Sequence, residues 1–335
     1  MLFLLHLASK LEAPEKGGGR AAIVLSGSPL FNGGADSGES EIHRWLVEQD
    51  LVEAIVALPT EIFFRIGIGT YLWILSNKKP EHRRDKVQLL NVTDLWTSIK
   101  NEGNKRRLIN DDQIRQVVGA YAAAEDGERS RVLDYRTFGY RRIRVLRPLR
   151  MALHVTGERV AKLKEEKAWD KLTPEQQAAW ERALKSHLGS THPFGWADEF
   201  ATATAKSTPA TGKAGKPFVK ALISAFGVRD PDGEPVIAAD GTTVADPELT
   251  DYENVPLLGD VLDYFATEVL PHVPDACIDE AYRDDKDKAF GCVGYEINFN
   301  RFFYKHVPPP SLAEVDKELK RVEAEIAARL GEVTE

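Results

Sequence analysis

The sequence predicts an α/β protein: half of a doubly wound sheet, followed by a mainly helical C-terminal region. Three observations carry this. Four short apolar runs, at 20–25 (RAAIVL), 51–58 (LVEAIVAL), 70–76 (TYLWILS) and 86–91 (KVQLLN), are bounded by turn residues and have the length of buried strands. An amphipathic segment at 39–49 lies between the first two, as in a strand–helix–strand unit. After residue 110 the spacing of apolar residues turns helical.

Taken in order, residues 1–11 read as a short helix closed by Pro14 and the glycines 17–19. The run 20–25 is continuously apolar, which predicts a strand buried on both faces. Residues 26–38 form a loop, from which Ser37 caps the helix 39–49; Ile42, Trp45 and Leu46 give that helix one apolar face. A helix at 111–124 leads to a strand-rich connector at 131–145 containing Phe138-Gly139-Tyr140. Two exposed helices follow at 156–167 and 174–188, the second started by Thr173, Pro174 and Gln176 as a capping box. The stretch 201–217 (ATATAKSTPATGKAGKP) is small and polar, which predicts a flexible linker or mobile loop, and Asp240-Gly241 within 236–244 predicts a hairpin. After Pro308-Pro309-Pro310, Ser311 caps a last helix whose Leu312, Val315, Leu319, Val322, Ile326 and Leu330 recur mostly at alternating threes and fours. A seam this short is marginal alone and needs a partner surface.

Composition narrows the function classes. A length of 335 residues leaves room for two or three packed domains, with 43% hydrophobic and 29% charged residues as in ordinary globular proteins. The net charge of −8 argues against a stand-alone coat for nucleic acid, though not against an enzyme whose partner supplies the phosphate contacts. Cys277 and Cys292 are too few for a disulfide framework or a zinc site of their own and read as thiols in a reducing cytoplasm. No apolar run approaches a membrane span, and residues 1–7 (MLFLLHL) lack a basic n-region and a cleavage site, so a cytoplasmic location is expected. The acids Asp275, Asp279-Glu280, Asp284-Asp285 and Asp287 lack the spacing of a calcium loop; they read as a solvated loop, with no metal expected.

Two basic segments stand out. Lys78-Lys79, His82-Arg83-Arg84 and Lys86 lie in the turn between the third and fourth strands, as a solvated loop or, through Arg83 and Arg84, a contact to nucleic-acid phosphate or a partner. Arg141, Arg142, Arg144, Arg147 and Arg150 crowd ten residues of an acidic protein, a density that fits either phosphates or the acidic patches of a partner.

The strand-end loops carry the most information. Ser26-Gly27-Ser28-Pro29-Leu30-Phe31 and Leu58-Pro59-Thr60-Glu61-Ile62-Phe63-Phe64 leave the first two strands, read as parallel neighbours, where open α/β sheets build ligand clefts. Spacing alone assigns them to turning and packing. The stretch 17–77 (GGGRAAIVLSGSPLFNGGADSGESEIHRWLVEQDLVEAIVALPTEIFFRIGIGTYLWILSN) nevertheless closely resembles the modification (M) subunit of type I restriction-modification systems, an adenine-N6 DNA methyltransferase. So does 252–335, from YENVPL to LGEVTE, including Gly294-Tyr295-Glu296-Ile297, Phe299 and Arg301-Phe302-Phe303-Tyr304; the resemblance is weaker between. It implies the C-terminal half of a Rossmann-like methyltransferase sheet. The second loop matches the family's LP-x-x-[IL]-F-[YF] segment, whose aromatics lie near the pocket for the extruded adenine. Pro59, Phe63 and Phe64 would then wall a target-base pocket, since a base taken out of a duplex needs a flat apolar face. Phe64, where the family often carries Tyr, is preferred over Phe63, and one of the two is expected in the core.

The same family needs a Gly-rich strand-to-helix turn for S-adenosylmethionine and an Asn/Asp-Pro-Pro-aromatic catalytic loop. Neither motif occurs: the prolines of 307–311 (VPPPS) lack the preceding Asn or Asp. The catalytic loop precedes, in the family, the helix at 1–11. The resemblance therefore implies the rear portion of an M subunit, truncated or separately encoded, with no catalytic residue in this chain and no activity alone. S-adenosylmethionine is implied for the intact enzyme and not for this chain by itself. Implied partners are the missing N-terminal methyltransferase half, the specificity (S) subunit and the nuclease/translocase (R) subunit, with DNA reached through the complex. The expected domains are 1–92, the rear of the methyltransferase sheet; 93–198, a helical or mixed connector; 199–251, a mobile loop and hairpin; and 252–335, ending in a partner-binding helix. The readings from other classes are a non-catalytic module that docks on the specificity subunit through that helix, and a degenerate gene product.

Overall fold

The computed structural model describes residues 1–335 apart from 213, 214, 239, 307 and 335; the side chains of 101, 102, 209, 328 and 330–334 are likewise outside the description. Contacts divide the chain into two interleaved units: Leu2–Phe31, Gln49–Asp134 and Ile297–Glu335 form one, and Met1, Asn32–Glu48 and Tyr135–Glu296 the other. These are not the four consecutive domains expected, and the block 252–335 is divided after Glu296.

The first unit is built on a five-stranded sheet of β1 (Arg20–Ser26), β2 (Val52–Leu58), β3 (Thr70–Ser76), β4 (Lys86–Asn91) and, beyond a hairpin of β5 (Thr97–Glu102) and β6 (Lys105–Leu108), β7 (Ser130–Asp134). All four expected strands form. Their order is β1-β3-β2-β4-β7, and of the pairings only β2 with β4 is parallel. This corrects the expectation that β1 and β2 are parallel neighbours: β3 lies antiparallel between them. The connection 59–69 holds no crossover helix, so β3 returns antiparallel beside β2. Only β2 is buried nearly throughout. β1 is an edge strand, so its apolar run is half solvent-facing, with Ala22 exposed and Val24 40% exposed. The helix Asp111–Ala123, started by an Asn110/Gln113 capping box, lays Val117, Ala120 and Tyr121 against Val56, Leu90, Val92 and Leu95. The helix Leu2–Ala8 buries Leu4 and Ala8 but leaves Leu2 and Phe3 about three-quarters exposed.

The second unit carries two small sheets. One is centred on β8 (Gly139–Leu146) and the other on β9 (Arg150–Val155). β9 pairs with β10 (Ser190–Pro193), β11 (Gly227–Arg229) and β12 (Glu234–Pro235). β8 pairs with β13 (Asp251–Pro256), β14 (Cys277–Ile278) and β15 (Cys292–Tyr295). The C-terminal region is therefore mixed α/β rather than mainly helical. Eight-residue β8 falls within the stretch 131–145 expected to be strand-rich; the other strands, of two to six residues, hold too little alternation to be read from sequence.

Of the supposed linker 201–217, residues 201–207 end one helix, 209–211 form a 3-10 turn and 216–217 begin another helix, with 213 and 214 outside the described residues. Trp196–Ser207 and Lys216–Phe226 bury Phe200, Ala201, Leu222 and Phe226 in one core with Trp169 and Trp180. Alanines between the threonines favour the helix, and packing decides the rest. The helices Gly157–Lys164 and Pro174–Lys185 also bury residues there, Leu163 from the first and Trp180 and Leu184 from the second, rather than standing exposed. The expected Thr173/Gln176 box forms, at 2.9 and 3.3 Å, and so does the hairpin around Asp240-Gly241, whose Val244 N–H donates to Val236 C=O at 2.9 Å.

Ser37 caps the helix Gly38–Glu48, its hydroxyl accepting from the Ser40 N–H at 3.2 Å. The buried face of this helix is Ser40, His43, Arg44, Leu46 and Val47, and Trp45 is 38% exposed. The apolar stripe misidentified the face because Arg44 is held inside by carboxylates. Among the described residues no helix is long and apolar enough to cross a membrane.

Candidate functional site

The loop that leaves β2 rests on the β5–β6 hairpin. Gly103 and Asn104, both at positive φ, make the two-residue turn of that hairpin, a Gly-Asn signal overlooked in the sequence. The Arg65 N–H donates to Gly103 C=O at 2.7 Å, and those of Arg106 and Arg107 donate to Glu61 C=O at 3.0 and 3.3 Å. Pro59 is buried at the loop's root and Phe63 is half-buried. Phe64 is 61% exposed, with Lys105 Nζ 5.2 Å from the centre of its ring. Arg107 covers Trp96 at 4.2 Å and donates to Thr60 Oγ1 at 2.8 Å. Ile66 and Ile68 are also exposed. The loop thus offers an open aromatic face beside a cation, an arrangement that can stack a flat, electron-rich group. Sequence reading missed Lys105 and Arg107, which come to this loop only through the hairpin.

The first basic segment is mostly inward. Arg83 is 6% exposed; it donates to Gln88 Oε1 at 2.9 Å and to Tyr121 C=O, and stacks on the Tyr121 ring. Glu53, also buried, faces both Arg83 and Arg20 and accepts from the Tyr121 hydroxyl; burial, with Glu53, pushes that phenol up to about 12. Arg83 is therefore a packing residue, which corrects its assignment as a phosphate or partner contact. Arg84 is exposed. Lys79 is buried between Asp50 Oδ1, at 2.5 Å, and Lys86 C=O, at 2.8 Å, and burial lowers its pKa.

The arginines of β8 and just beyond are also engaged. Arg141 pairs with Asp287, Arg144 with Asp279 at 3.0 Å, and Arg147 and Arg150 with Asp275 at 3.0 and 3.5 Å. Arg142 lies over Tyr252 at 4.2 Å, and Arg144 over Tyr282 at 4.5 Å. The pairing of β14 and β15 with β8 carries the acidic stretch alongside these arginines. Arg147 holds the Asp275 carboxyl below its usual range, and Arg141 does the same for Asp287. Arg141 and Arg144 are thus already met by carboxylates; of the acids, Asp275, Asp279 and Asp287 are paired and Asp284 is buried, while Glu280 and Asp285 are exposed as expected of a solvated loop. At the centre, buried Asp284 meets Arg44 at 2.6 Å and accepts from the backbone of Val293, Lys286 and Asp287. Burial pushes the Asp284 carboxyl up, but Arg44 and these amides pull harder and hold it well below its usual range. No local signal links residues 240 apart.

The last helix, Leu312–Thr334, starts with Ser311 and Glu314 bonded reciprocally. Its seam faces solvent: Leu312 is 84% exposed, Leu319 54% and Ile326 53%, with Val315 and Val322 near 40%. The Leu330 side chain lies outside the described residues. Among the described residues no group of three His, Cys, Asp or Glu could hold a metal ion.

Comparison with known proteins places these features in context. Residues 1–135 match the N-6 DNA Methylase family. The chain is 29% identical over 110 residues to the methylase subunit of the type I restriction enzyme MjaIX of Methanocaldococcus jannaschii, covering 33% of this chain and 19% of that one. It is 34% identical over 118 residues to the MjaVII methylase subunit of the same organism, covering 34% and 19%. The match thus spans about a fifth of these relatives' length. Among solved structures, the type I restriction-modification methyltransferase subunit from Streptococcus thermophilus aligns at 27% identity and a TM-score of 0.34, over 40% of this chain and 26% of that one.

Proposed function

We propose that this chain, whose residues 1–135 match the N-6 DNA Methylase family, is the rear part of a type I methylase subunit, completed by the front half of the methyltransferase sheet. The observation that carries this is the open edge of β1. Among the described residues β1 pairs only with β3, and Ala22 and Val24 beside its free edge are exposed together with Leu2 and Phe3 of the adjacent helix. An apolar, unprotected edge is a template for another strand. The occupant is the front half of the methyltransferase sheet.

The assembled enzyme would transfer a methyl group from S-adenosylmethionine to adenine N6. The turn after β1 does not suit that cofactor. A Cβ at Gly27 would stand 3.3 Å from Tyr71 Cε2 and 3.6 Å from Phe31 Cε1, so aromatic rings already pack where a backbone cradle would be open. This chain's contribution is instead the base side: Pro59 fixes the loop, Phe64 presents the stacking face, and Lys105 lies over it. The seam of the last helix docks on helices of a specificity subunit, as its exposed leucines favour.

Co-expression with an N-terminal methyltransferase half tests the reading. The two pieces should co-purify and methylate DNA when the specificity subunit is added. Val24→Lys should abolish co-purification while the far-ultraviolet circular dichroism is unchanged. Replacing Leu319 and Ile326 with Glu should release only the specificity subunit. Stoichiometric, micromolar binding of S-adenosylmethionine by the chain alone, measured by isothermal titration, would overturn it.

A further inference from the structure

Of the arginines crowded on and after β8, Arg141, Arg144, Arg147 and Arg150 meet carboxylates of their own unit. Arg142 does not. In register it stands between Asn254 of β13 and Cys292 of β15, so neither neighbouring strand sets an acid opposite it. Residues paired directly across strands share a face, which puts Arg142 and Asn254 on one side of the sheet together with Arg144 and Tyr252. All of these residues belong to the second unit.

The Arg142 side chain is held in place without being satisfied. It is half-buried, and its guanidinium lies over the Tyr252 ring at 4.2 Å. On another side Gly34 comes so close that a Cβ there would stand 3.1 Å from Arg142 Nη1. Tyr252 is fixed in turn: its hydroxyl accepts from Arg144 Nε at 3.2 Å, and Arg144 is paired with Asp279. Among the described residues no hydrogen bond or ion pair engages the Arg142 guanidinium, and no hydrogen bond engages the exposed Asn254 amide. A guanidinium held against a ring keeps its in-plane N–H fork for a ligand, and that fork fits a planar carboxylate.

We propose that Arg142, Tyr252 and Asn254 form a docking point for an aspartate or glutamate side chain of a partner protein. The guanidinium fork takes the carboxylate, the ring of Tyr252, 38% exposed, covers the stem of the same side chain, and the Asn254 amide bonds the backbone beside it. Arginine and tyrosine are the side chains that most often anchor protein interfaces. Charge selects a single carboxylate over a phosphate. Asp36 and Arg142 both act on the Tyr282 hydroxyl, so an acid already stands near this arginine and little positive charge is in surplus. A polyanion would also meet the net charge of −8 on the chain. None of this rests on the methylase reading.

The test uses the full chain and two fluorescein-labelled peptides of equal length, one alternating aspartate with glycine and the other phosphoserine with glycine, read by fluorescence anisotropy. The aspartate peptide should bind more tightly. Arg142→Gln should weaken its binding at least about tenfold, as for an interface arginine. Arg142→Lys keeps the charge but not the fork and should restore only part of the loss. Gly34→Ala leaves Arg142 in place but crowds the fork and should weaken binding several-fold, whereas Asp36→Asn should tighten it. Lys185→Gln, at an exposed cation of the helix Pro174–Lys185, should change nothing. Absence of binding, tighter binding of the phosphoserine peptide, full restoration by Arg142→Lys, or equal losses in Arg142→Gln and Lys185→Gln would overturn the proposal. If Arg142→Gln lowers the melting temperature, Gly34→Ala decides, and unchanged binding in that variant overturns the proposal as well.

Discussion

Two cation-rich regions of this chain meet opposite fates. On and just after β8, five arginines in ten residues look like the obvious anion-binding surface, yet four of them pair with Asp275, Asp279 and Asp287 from the same unit. On β6, Lys105, Arg106 and Arg107 drew no notice in the sequence, yet Lys105 lies beside exposed Phe64, and Arg107 lies over Trp96 and 3.9 Å from Glu61. Local charge density is not available charge. What decides is whether strand pairing brings carboxylates to the same edge, as β14 and β15 do for β8.

The comparison breaks most sharply at Asp284. If the arginine region is a structural ion network, Asp284→Ala takes from Arg44 its most buried carboxylate, in a site where both side chains are under 7% exposed, and leaves it Glu48 at 2.8 Å. Removing one partner of a buried pair costs about 3–5 kcal/mol. Urea unfolding of the full chain should show a loss of that order; a loss under about 1 kcal/mol would mean the network does not hold this unit together.

A second effect in the same unit depends on pH. Burial lowers the His43 pKa from 6.5 to about 4, against a smaller opposite contribution from the Tyr295 backbone. The folded state therefore keeps His43 neutral where the unfolded chain protonates it. Its contribution is fully present above 6.5 and is lost as pH falls toward about 4, in total about 3 kcal/mol. Urea midpoints measured from pH 7 to pH 4 should fall in wild type and fall less in His43→Gln. Parallel curves would sink the assignment.

The third test addresses the two regions directly, in the proposed assembly with DNA. Lys105→Ala should lower the slope of log binding constant against log salt by about one, as for one lost phosphate contact. Arg144→Ala should leave the slope unchanged, because its charge is already met by Asp279. In an Arg144/Asp279 double-mutant cycle the coupling should be about 0.2–1 kcal/mol, as for a partly exposed pair. A salt slope altered equally by both substitutions would erase the distinction.

What was legible in the sequence follows from the range over which each feature is specified. The strands 20–25, 51–58, 70–76 and 86–91 are local apolar runs, and all appear within a residue or two of their expected ends. The caps at Ser37, Thr173 and Ser311 depend on residues three positions apart and were equally readable. The order β1-β3-β2 was not, because pairing partners are set across the sheet and not along the chain. The stretch 201–217 failed for a related reason: Thr, Ser and Gly composition suggested a linker, while the helix there is decided by Trp169 and Trp180. At the strand-end loop Pro59, Phe63 and Phe64 were readable, and the preference for Phe64 came from the family resemblance; the hairpin beneath, with Lys105 at that ring, was not readable.

The smallest effect on stability is expected at that ring. Phe64 is 61% exposed, so Phe64→Ala removes little buried area and should change the unfolding free energy by less than about 0.5 kcal/mol. Phe63, half-buried and bridged in the backbone to Ile66, should cost more than Phe64 when truncated. The functional order is the reverse. In the reconstituted enzyme Phe64→Ala should lower methylation at least about tenfold, because an extruded base loses its stacking face, and Phe64→Tyr should restore it. An aromatic that is dispensable for folding and required for turnover distinguishes a working wall from exposed packing. If Phe64→Ala turns over like wild type, the loop is only a turn.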